Sequence, residues 1–426
     1  MKVYNTLVIL LISSILLNAQ EQYSLAKCHQ LARNNYPLIK QRKLLEQASD
    51  FNLNGIVKGN LPKIALNAQL TNQSDVTGLP IEIPGQSMPQ IPKTQYKATI
   101  DVQQFIYDGG MIKNQTKVEK ASLMADQQML EVSLYEVKER VTKLYFGVLL
   151  INEQNKLFQL MADELKDKMT TMESGVRNGI VEESRLNELK AEYLKVEQGQ
   201  IELRSNHKAL LDVLGILIGD AIVESAALAQ PKIDSIDFEQ ENSRPEHLYF
   251  DYQKAVIGSN QSLIGTSLKP RVYGFAQVGV GRPGLNFLDD DTQGFYIAGI
   301  KLQWNLWDWN KNNHAQQRLS IRQKIIDTQR ETFDLNMIAA MKQKQNEINK
   351  LNALMEKDQQ IIELRTSIKE NAARQLDGGV ITPTEYLTQL NAENKSKLDY
   401  QVRTMELEMA KVDCILIMGK DLSEQK

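Results

Sequence analysis

The sequence has few of the residues that build disulfide, metal or nucleotide sites. Its 426 residues include two cysteines, Cys28 and Cys414, and four histidines. Two cysteines are too few for a disulfide scaffold, and they form either one bridge or two buried thiols. The histidines lack metal-ligand spacing, and no phosphate-binding loop or nucleophile elbow is present. The sequence therefore predicts no enzyme, no catalytic residue, no cofactor and no metal site.

Aromatic residues and excess charge are also scarce. Aromatic residues make up 6% of the chain, and the formal net charge is -3. Nucleic-acid-binding proteins usually carry a basic patch and stacking rings, so the composition argues against that class.

Long hydrophobic runs are missing beyond the first 19 residues. The most apolar later stretch, 210–223, contains Asp212 and Asp220, so no segment reaches the roughly 18 residues of a spanning helix. Residues 1–19 combine an early lysine, an apolar run and a small final residue, Ala19, which predicts a secretory signal peptide. We therefore expect an exported protein without a helical membrane anchor.

The most informative feature that is present is an internal repeat. The segment 103–110 (QQFIYDGG) recurs as 303–310 (QWNLWDWN). In both copies an alternating strand ends in aromatic residues, and an aspartate, Asp108 or Asp308, precedes a long helical pattern. We expect each carboxylate to accept hydrogen bonds from free N–H groups of the helix start. Such self-similarity indicates a tandem duplication.

The duplication divides the chain into a first repeat, 20–220, a linker, 221–243, and a second repeat, 244–426. Each repeat is predicted to contain a helix, two strands and a long helical hairpin, in that order.

Proline and glycine mark the connections within each repeat. The two strands of each repeat are joined by turn-rich loops, 74–94 and 281–293. Each long helical pattern is free of proline until a glycine-containing break, near 175–182 and 377–383. The simplest interpretation of each break is a tight turn between antiparallel helices.

The predicted element lengths do not suit a compact globular domain. A helix of roughly 65 to 70 residues would be about 100 Å long. Strands of about 10 residues cross a bilayer when tilted. The four predicted strands have this length, and their side chains alternate between apolar and polar. Four strands cannot close a barrel, and an open edge in lipid costs several kcal/mol per unpaired group. Either the strands lie outside a membrane, or several chains pool them. Two chains would give little or no pore, and three would give an open one.

Aromatic residues cluster where the strands end, and all three tryptophans are among them. Aromatic rings favour the membrane–water interface, so we predict an interfacial girdle, with a core beneath the helix starts as the alternative. The girdle residues are Phe105, Tyr107, Trp304, Trp307 and Trp309.

Three kinds of motif occur in a fixed order: the opening at 25–38, the strand exit at 105–110, and the hairpin breaks at 179–181 and 379–381. Together they resemble the TolC-like outer-membrane efflux proteins. The resemblance implies a mainly α fold with a transmembrane β part, in which two tandem repeats give a four-stranded contribution to a trimeric twelve-stranded β-barrel and to a long α-helical barrel. The barrel would lie in the outer membrane of a Gram-negative bacterium, in contact with lipid, and the helices in the periplasm.

The resemblance also implies a function and partners. The homotrimer would be a passive exit duct of a tripartite efflux or type I secretion system, docked to a periplasmic membrane-fusion adaptor and through it to an inner-membrane transporter. Relatives touch the adaptor through both hairpin turns, although the same glycines also suit plain turn chemistry. The matching residues are Asn178, Gly179, Ile180, Val181, Gly379, Val380, Ile381 and Thr382.

Some members of that family carry acidic rings at a narrow periplasmic tip. Glu385 matches one such acid, the second falls on Thr388, and Arg185 is the counterpart of Glu385 in the first hairpin. One hypothesis is a gate in which three Glu385 carboxylates form a ring and an ion pair between Arg185 and Glu385 holds the mouth shut. The alternative is a solvated helix face.

A second function from another class is a soluble periplasmic coiled-coil adaptor or scaffold without a pore. Its strands would belong to a soluble sandwich. The apolar strand residues distinguish the two functions, because they require either lipid or a dry core. These residues are Ile64, Leu66, Leu70, Ile100, Val102, Ile300 and Leu302.

Overall fold

The structure is a computed structural model that describes residues 23–77, 91–233, 236–237 and 242–422. The predicted signal peptide, 1–19, lies outside the described residues. So do most of the loop 74–94 and part of the linker 221–243.

The helices and strands follow a similar order in residues 20–220 and in residues 244–426. The helices and strands of the first repeat are α1 (Leu25–Asn35), α2 (Lys40–Lys58), β1 (Lys63–Asn72), β2 (Thr94–Tyr107), α3 (Met111–Arg177) and α4 (Glu183–Ile218). Those of the second repeat are α5 (Pro245–Ile264), β3 (Arg271–Arg282), β4 (Gln293–Gln303), α6 (Lys311–Asp377) and α7 (Pro383–Ile417).

The two long helices, α3 and α6, have 67 residues each, which confirms the length predicted from the sequence. Pro37 interrupts the opening helical pattern, as its missing N–H predicts, and a short 3₁₀ helix, Pro37–Ile39, separates α1 from α2. None of the described helices is both long enough and apolar enough to cross a bilayer.

The described residues pack into two compact units, and each unit takes segments from both repeats. One contains the described parts of 1–41, 129–247 and 331–426, and the other contains 42–128 and 248–330. The repeats therefore give the order of elements along the chain, whereas the compact units are built across the repeats.

The first unit is helical, and its core lies where α1 packs among α3, α4 and α7. Cys28, Val141, Leu214 and Ile415 are fully buried in this core. The hydroxyl of Tyr145 donates to the carbonyl oxygens of Tyr23, at 2.6 Å, and Ala229, at 2.5 Å. Such bonds satisfy a polar group that burial would otherwise penalise. Cys28 and Cys414 are both buried free thiols, which resolves the open alternative against a bridge.

The second unit contains one antiparallel sheet in the order β1-β2-β3-β4. The register is continuous from Lys63 opposite Gln103 to Asn72 opposite Thr94, and from Arg271 opposite Gln303 to Gly281 opposite Gln293. A single irregularity, between Phe105 and Tyr107, interrupts the pairing of β2 with β3. Because side chains alternate with period two, this register fixes which residues share a face.

Candidate functional site

One face of the sheet is apolar from edge to edge. Every even-numbered residue in the ranges 64–70, 96–102, 272–280 and 294–302 is apolar or glycine. Opposite partners are even-numbered as well, so that Leu66 lies beside Ile100, Ile100 beside Val278, and Val278 beside Tyr296.

This apolar face is exposed in the single chain. Leu66 is 78% exposed, Tyr296 78% and Ile300 74%. A soluble sandwich would cover such a face, and an apolar surface of this extent marks a site of contact with lipid or another protein. On β3 this face has two small residues, Gly274 and Ala276, between the larger Val272, Val278 and Val280.

The opposite face of the sheet is polar. At its centre the carboxylate of Asp101 accepts hydrogen bonds from the side-chain amides of Asn67 and Gln277, and Lys97 donates to Gln277 over 3.1 Å. These contacts join β1, β2 and β3 in one cross-strand network.

The predicted aspartates lie between a strand and a long helix: Asp108 directly follows β2, and Asp308 lies five residues after the end of β4. The Asp108 carboxylate accepts from the N–H groups of Gly110, at 2.8 Å, and Ile112, at 2.7 Å. The Asp308 carboxylate accepts from the N–H of Asn312 at 2.8 Å. Both carboxylates satisfy N–H groups that lack a partner in the first helical turn, so the capping prediction is confirmed.

Both helical hairpins turn through the same backbone motif. Gly179 has φ of +68°, its N–H donates to Val176, and the N–H of Ile180 donates to Gly175. Gly379 has φ of +70°, and the N–H of Val380 donates to Gln375 at 2.8 Å. This is the glycine-terminated Schellman motif, in which positive φ favours glycine.

The two turns present apolar side chains at their tips. Ile180 is 80% exposed and Val380 75% exposed. Beyond the turns, Thr384 donates to Glu188 over 2.8 Å and Asn391 donates to Glu192 over 2.9 Å. These contacts join α7 to α4, so one chain holds its two hairpins side by side.

One protein family matches part of the chain. Residues 29–217 match the family model described as outer membrane efflux protein. No curated protein sequence matches the chain.

Solved structures with the same fold cover almost the whole chain. The outer membrane protein VceC from Vibrio cholerae superposes with a TM-score of 0.66, at 12% identity over 93% of this chain and 96% of its own. The CmeC outer membrane channel of Campylobacter jejuni gives 0.64, at 14% identity over 94% and 87%. The open state of the MtrE outer membrane channel of Neisseria gonorrhoeae gives 0.64, at 13% identity over 93% and 89%.

The chain is similar to the outer membrane efflux protein family over residues 29–217. Its fold is that of TolC-like outer membrane channels, mainly helical with a small sheet. The family and the fold are those of channel proteins rather than enzymes. This favours the exit duct over the soluble scaffold considered from the sequence.

Among the aromatic residues predicted to lie at the membrane interface, Phe105 needs a correction. It lies opposite Tyr273 on the polar face, with the two ring centroids 6.0 Å apart. The irregularity after Phe105 returns Tyr107 to the apolar face, opposite Val272. A lipid-interface position therefore does not fit Phe105.

The other four aromatic residues are all exposed, as an interfacial role requires. Tyr107 is 49% exposed, Trp304 53%, Trp307 73% and Trp309 84%. The indole of Trp304 donates to the carbonyl of Leu268 at 2.9 Å. Their placement at the membrane interface stays a prediction.

The residue predicted to form an acidic gate, Glu385, has a local role in the structure. The Glu385 carboxylate accepts from the N–H of Thr382 at 2.8 Å, and the Thr382 hydroxyl accepts from the N–H of Glu385. This reciprocal capping box starts α7, and the bond from Thr382 lowers the pKa of the exposed Glu385 carboxyl. Within the described part of one chain, Arg185 forms no ion pair with Glu385. A ring of Glu385 side chains stays a hypothesis.

Sequence analysis missed a polar cluster around the buried Glu393 that joins three helices behind the turns. Lys369 on α6 pairs with Glu164 on α3 at 2.9 Å and with Glu393 on α7 at 3.4 Å, and Tyr386 donates to Glu164. Burial by itself would raise the pKa of Glu393, but bonds from Lys397 and Thr366 leave it lowered. The available signal was a glutamate three residues after Leu390, in line with the apolar seam of α7.

Among the residues that the structure describes, no group of His, Cys, Asp and Glu side chains is arranged to hold a metal ion.

Proposed function

We propose that three copies of this chain form one pore in the outer membrane, the exit duct of a tripartite efflux or type I secretion system. The observation that carries this proposal is the two-faced sheet. Its apolar face carries no charged residue over 64–70, 96–102, 272–280 and 294–302, whereas the opposite face carries the charged residues and hydrogen-bonding side chains. Strands that face lipid on one side and water on the other have this pattern.

The edges of the sheet supply the argument for several copies. Within the described residues, β1 and β4 each pair on one side only. In a bilayer an unpaired edge leaves N–H and C=O groups without water, so the edges have to be joined. Pairing β4 of one copy with β1 of the next closes a ring, and about eight strands already fill their own interior with side chains. Three copies are the smallest number that leaves an open pore.

In this arrangement the hairpin turns are the surface for a periplasmic membrane-fusion adaptor, which links the duct to an inner-membrane transporter. Asn178 to Val181 and Gly379 to Thr382 offer exposed apolar tips on rigid, glycine-terminated turns. A small apolar centre with a polar rim suits a protein partner.

Adjacent residues on β4 allow a matched test. Ile300 lies on the apolar face and Lys301 on the polar face. Burial raises the pKa values of the two native thiols, Cys28 and Cys414, to about 11, so both stay protonated and unreactive near neutral pH. A cysteine introduced at either β4 position is therefore the reactive one.

The purified Ile300→Cys and Lys301→Cys proteins would be reconstituted into lipid vesicles and treated with a charged, water-soluble thiol reagent. We expect rapid labelling at position 301, slow labelling at 300, and a change of conductance in planar bilayers only when 301 is modified. Equal labelling of both cysteines, or no conductance in the unmodified protein, would overturn the proposal.

A further inference from the structure

The polar face of the sheet has a strong imbalance of charge. Its charged residues on β1 to β4 are four cations, Lys63, Lys97, Arg271 and Lys301, and one anion, Asp101. No other charged residue of the four strands lies on this face, since Arg282 falls on the opposite one, where it pairs with Asp290 over 3.0 Å.

Three of the cations are concentrated at one end of the sheet. Arg271 pairs with Gln303, Lys301 with Tyr273, and Lys63 with Gln103, which places them in the three ladder rows nearest the starts of the long helices. Two residues along a strand advance roughly 7 Å, so the three rows span about 14 Å. Lys97 lies at the other end, opposite Gly281.

These cations keep their charge free for a solute. No ion pair joins any of the four to a carboxylate within the described residues. Lys301 lies over the ring of Tyr273 at 5.9 Å and Lys97 over that of Phe295 at 5.1 Å, contacts that hold an ammonium in place without neutralising it. Asp101 takes its hydrogen bonds from the neutral side chains of Asn67, Gln277 and Thr99.

We infer that the barrel end of the pore favours anions, and that negatively charged solutes are the cargo class it passes most readily. The inference rests on the proposed function, because only a closed barrel turns this face toward a shared lumen. Three copies would then place three Lys63, three Arg271 and three Lys301 side chains around one short section of the pore. Rings of Lys and Arg select anions, and low-dielectric walls strengthen their field.

The test is the chloride-to-potassium permeability ratio, taken from the reversal potential of the wild-type protein in planar bilayers under a KCl gradient. The neutralised variant Lys63→Gln/Arg271→Gln/Lys301→Gln is compared with the charge-conserving variant Lys63→Arg/Arg271→Lys/Lys301→Arg. We expect neutralisation to lower the ratio on the order of threefold, with a larger effect at low salt, and the charge-conserving variant to match wild type.

The outcomes distinguish a failure of the anion preference from a failure of pore formation. A conducting wild type whose ratio is the same after neutralisation overturns the inference and leaves the duct intact. A wild type that does not conduct overturns the duct itself.

Chemical modification provides a second measurement if the neutralised variant does not assemble. The Lys301→Cys protein is treated with a cationic or an anionic thiol reagent of similar size. The cationic adduct should raise the permeability ratio and the anionic adduct should lower it, whereas equal ratios would contradict the inference.

Discussion

In both repeats the two residues just before the long helix adopt a left-handed backbone conformation, but the residues differ. We call this connection between strand and helix the corner. In the first repeat Gly109 and Gly110 have φ of +73° and +81°, and in the second Trp309 and Asn310 have φ of +54° and +62°. A left-handed conformation costs a residue with a side chain roughly 1–2 kcal/mol. The corner is therefore imposed by the fold and its capping aspartate, and glycine is one way to meet it rather than its cause.

Space explains why the first corner keeps glycine. A Cβ at Gly109 would lie 3.1 Å from the Cβ of Lys269 and 3.3 Å from the carbonyl oxygen of Pro270. At the second corner Trp309 is 84% exposed and its ring packs against Trp307, with centroids 6.0 Å apart. The first corner is confined by its neighbours, and the second is open.

The hairpin turns differ in a complementary way. Both end their first helix with a Schellman motif, but only α7 begins with a capping box, at Thr382, and with proline at its first position. Helix α4 begins after Glu182, whose side chain makes no capping bond. The start of α4 is thus the less supported of the two.

The largest expected effect comes from adding a side chain at Gly109, in the confined corner of the first repeat. Gly109→Ala adds a Cβ where both φ and space oppose it, and we expect a loss of about 2–3 kcal/mol in the free energy of unfolding. Asn310→Gly, at the open corner, should be neutral or stabilising by up to about 1 kcal/mol. Apparent melting temperatures of the purified proteins in detergent measure both, and a neutral Gly109→Ala would mean that the two corners are equally tolerant.

The first helix of each repeat also carries a histidine, and the two differ in burial. His29 is 6% exposed and its Nε2 lies 2.9 Å from the hydroxyl of Thr142, whereas the His247 side chain is 21% exposed and lies 3.4 Å from Asp334. Burial, with a smaller contribution from Lys138, lowers the pKa of His29 from 6.5 to about 4.

Because the folded state binds the proton less readily than the unfolded state, stability falls as the pH falls from about 6.5 to about 4. The shift in the pKa of His29 corresponds to about 3 kcal/mol of folding free energy over that window. We expect His29→Gln, which keeps a polar partner for Thr142, to flatten the pH dependence of the melting temperature between pH 7 and pH 5. If the melting temperature of this variant depends on pH as strongly as that of wild type, His29 is not the group responsible.

The difference between the helix starts can be reversed by substitution. Thr382→Ala removes the capping box and should cost about 1 kcal/mol, while Glu182→Thr offers α4 a cap and should gain about half of that. Hydrogen exchange of the amides in the first turns of α7 and α4 reports each effect locally. Unchanged protection at α7 in Thr382→Ala would show that packing alone fixes that turn.

The smallest expected effect separates the two roles of Glu385. Gln at position 385 retains an acceptor for the Thr382 N–H but removes the charge. If Glu385 acts only as a cap, Glu385→Gln should conduct like wild type, with the same block by divalent cations. A gate made of a Glu385 ring predicts weaker block in both Glu385→Gln and Glu385→Ala.

Much of the fold follows from local pattern. The alternation in β1, β2 and β4, the aspartates at 108 and 308, and the glycine turns each depend on neighbours in sequence, and the structure has all of them. What local pattern missed depends on pairing between distant segments. The irregularity after Phe105 places Tyr107 on the apolar face while Phe105 stays on the polar face, and the apolar face of β3 emerged only from its register with Ile100 and Tyr296.

The polar cluster of Lys369, Glu164 and Glu393 was beyond sequence reasoning for the same reason. These residues lie on three different helices, and their separation along the chain says nothing of their contact. The division into two compact units was equally hidden, because each unit takes segments from both repeats.

The central claim is that the sheet of one chain is a third of a closed membrane barrel. Single-particle imaging of the purified protein in a lipid nanodisc tests it most directly. The account predicts particles with threefold symmetry in which β4 of each copy pairs with β1 of the next. A monomer with both sheet edges open, or a sheet folded against its own helices outside the lipid, would contradict it.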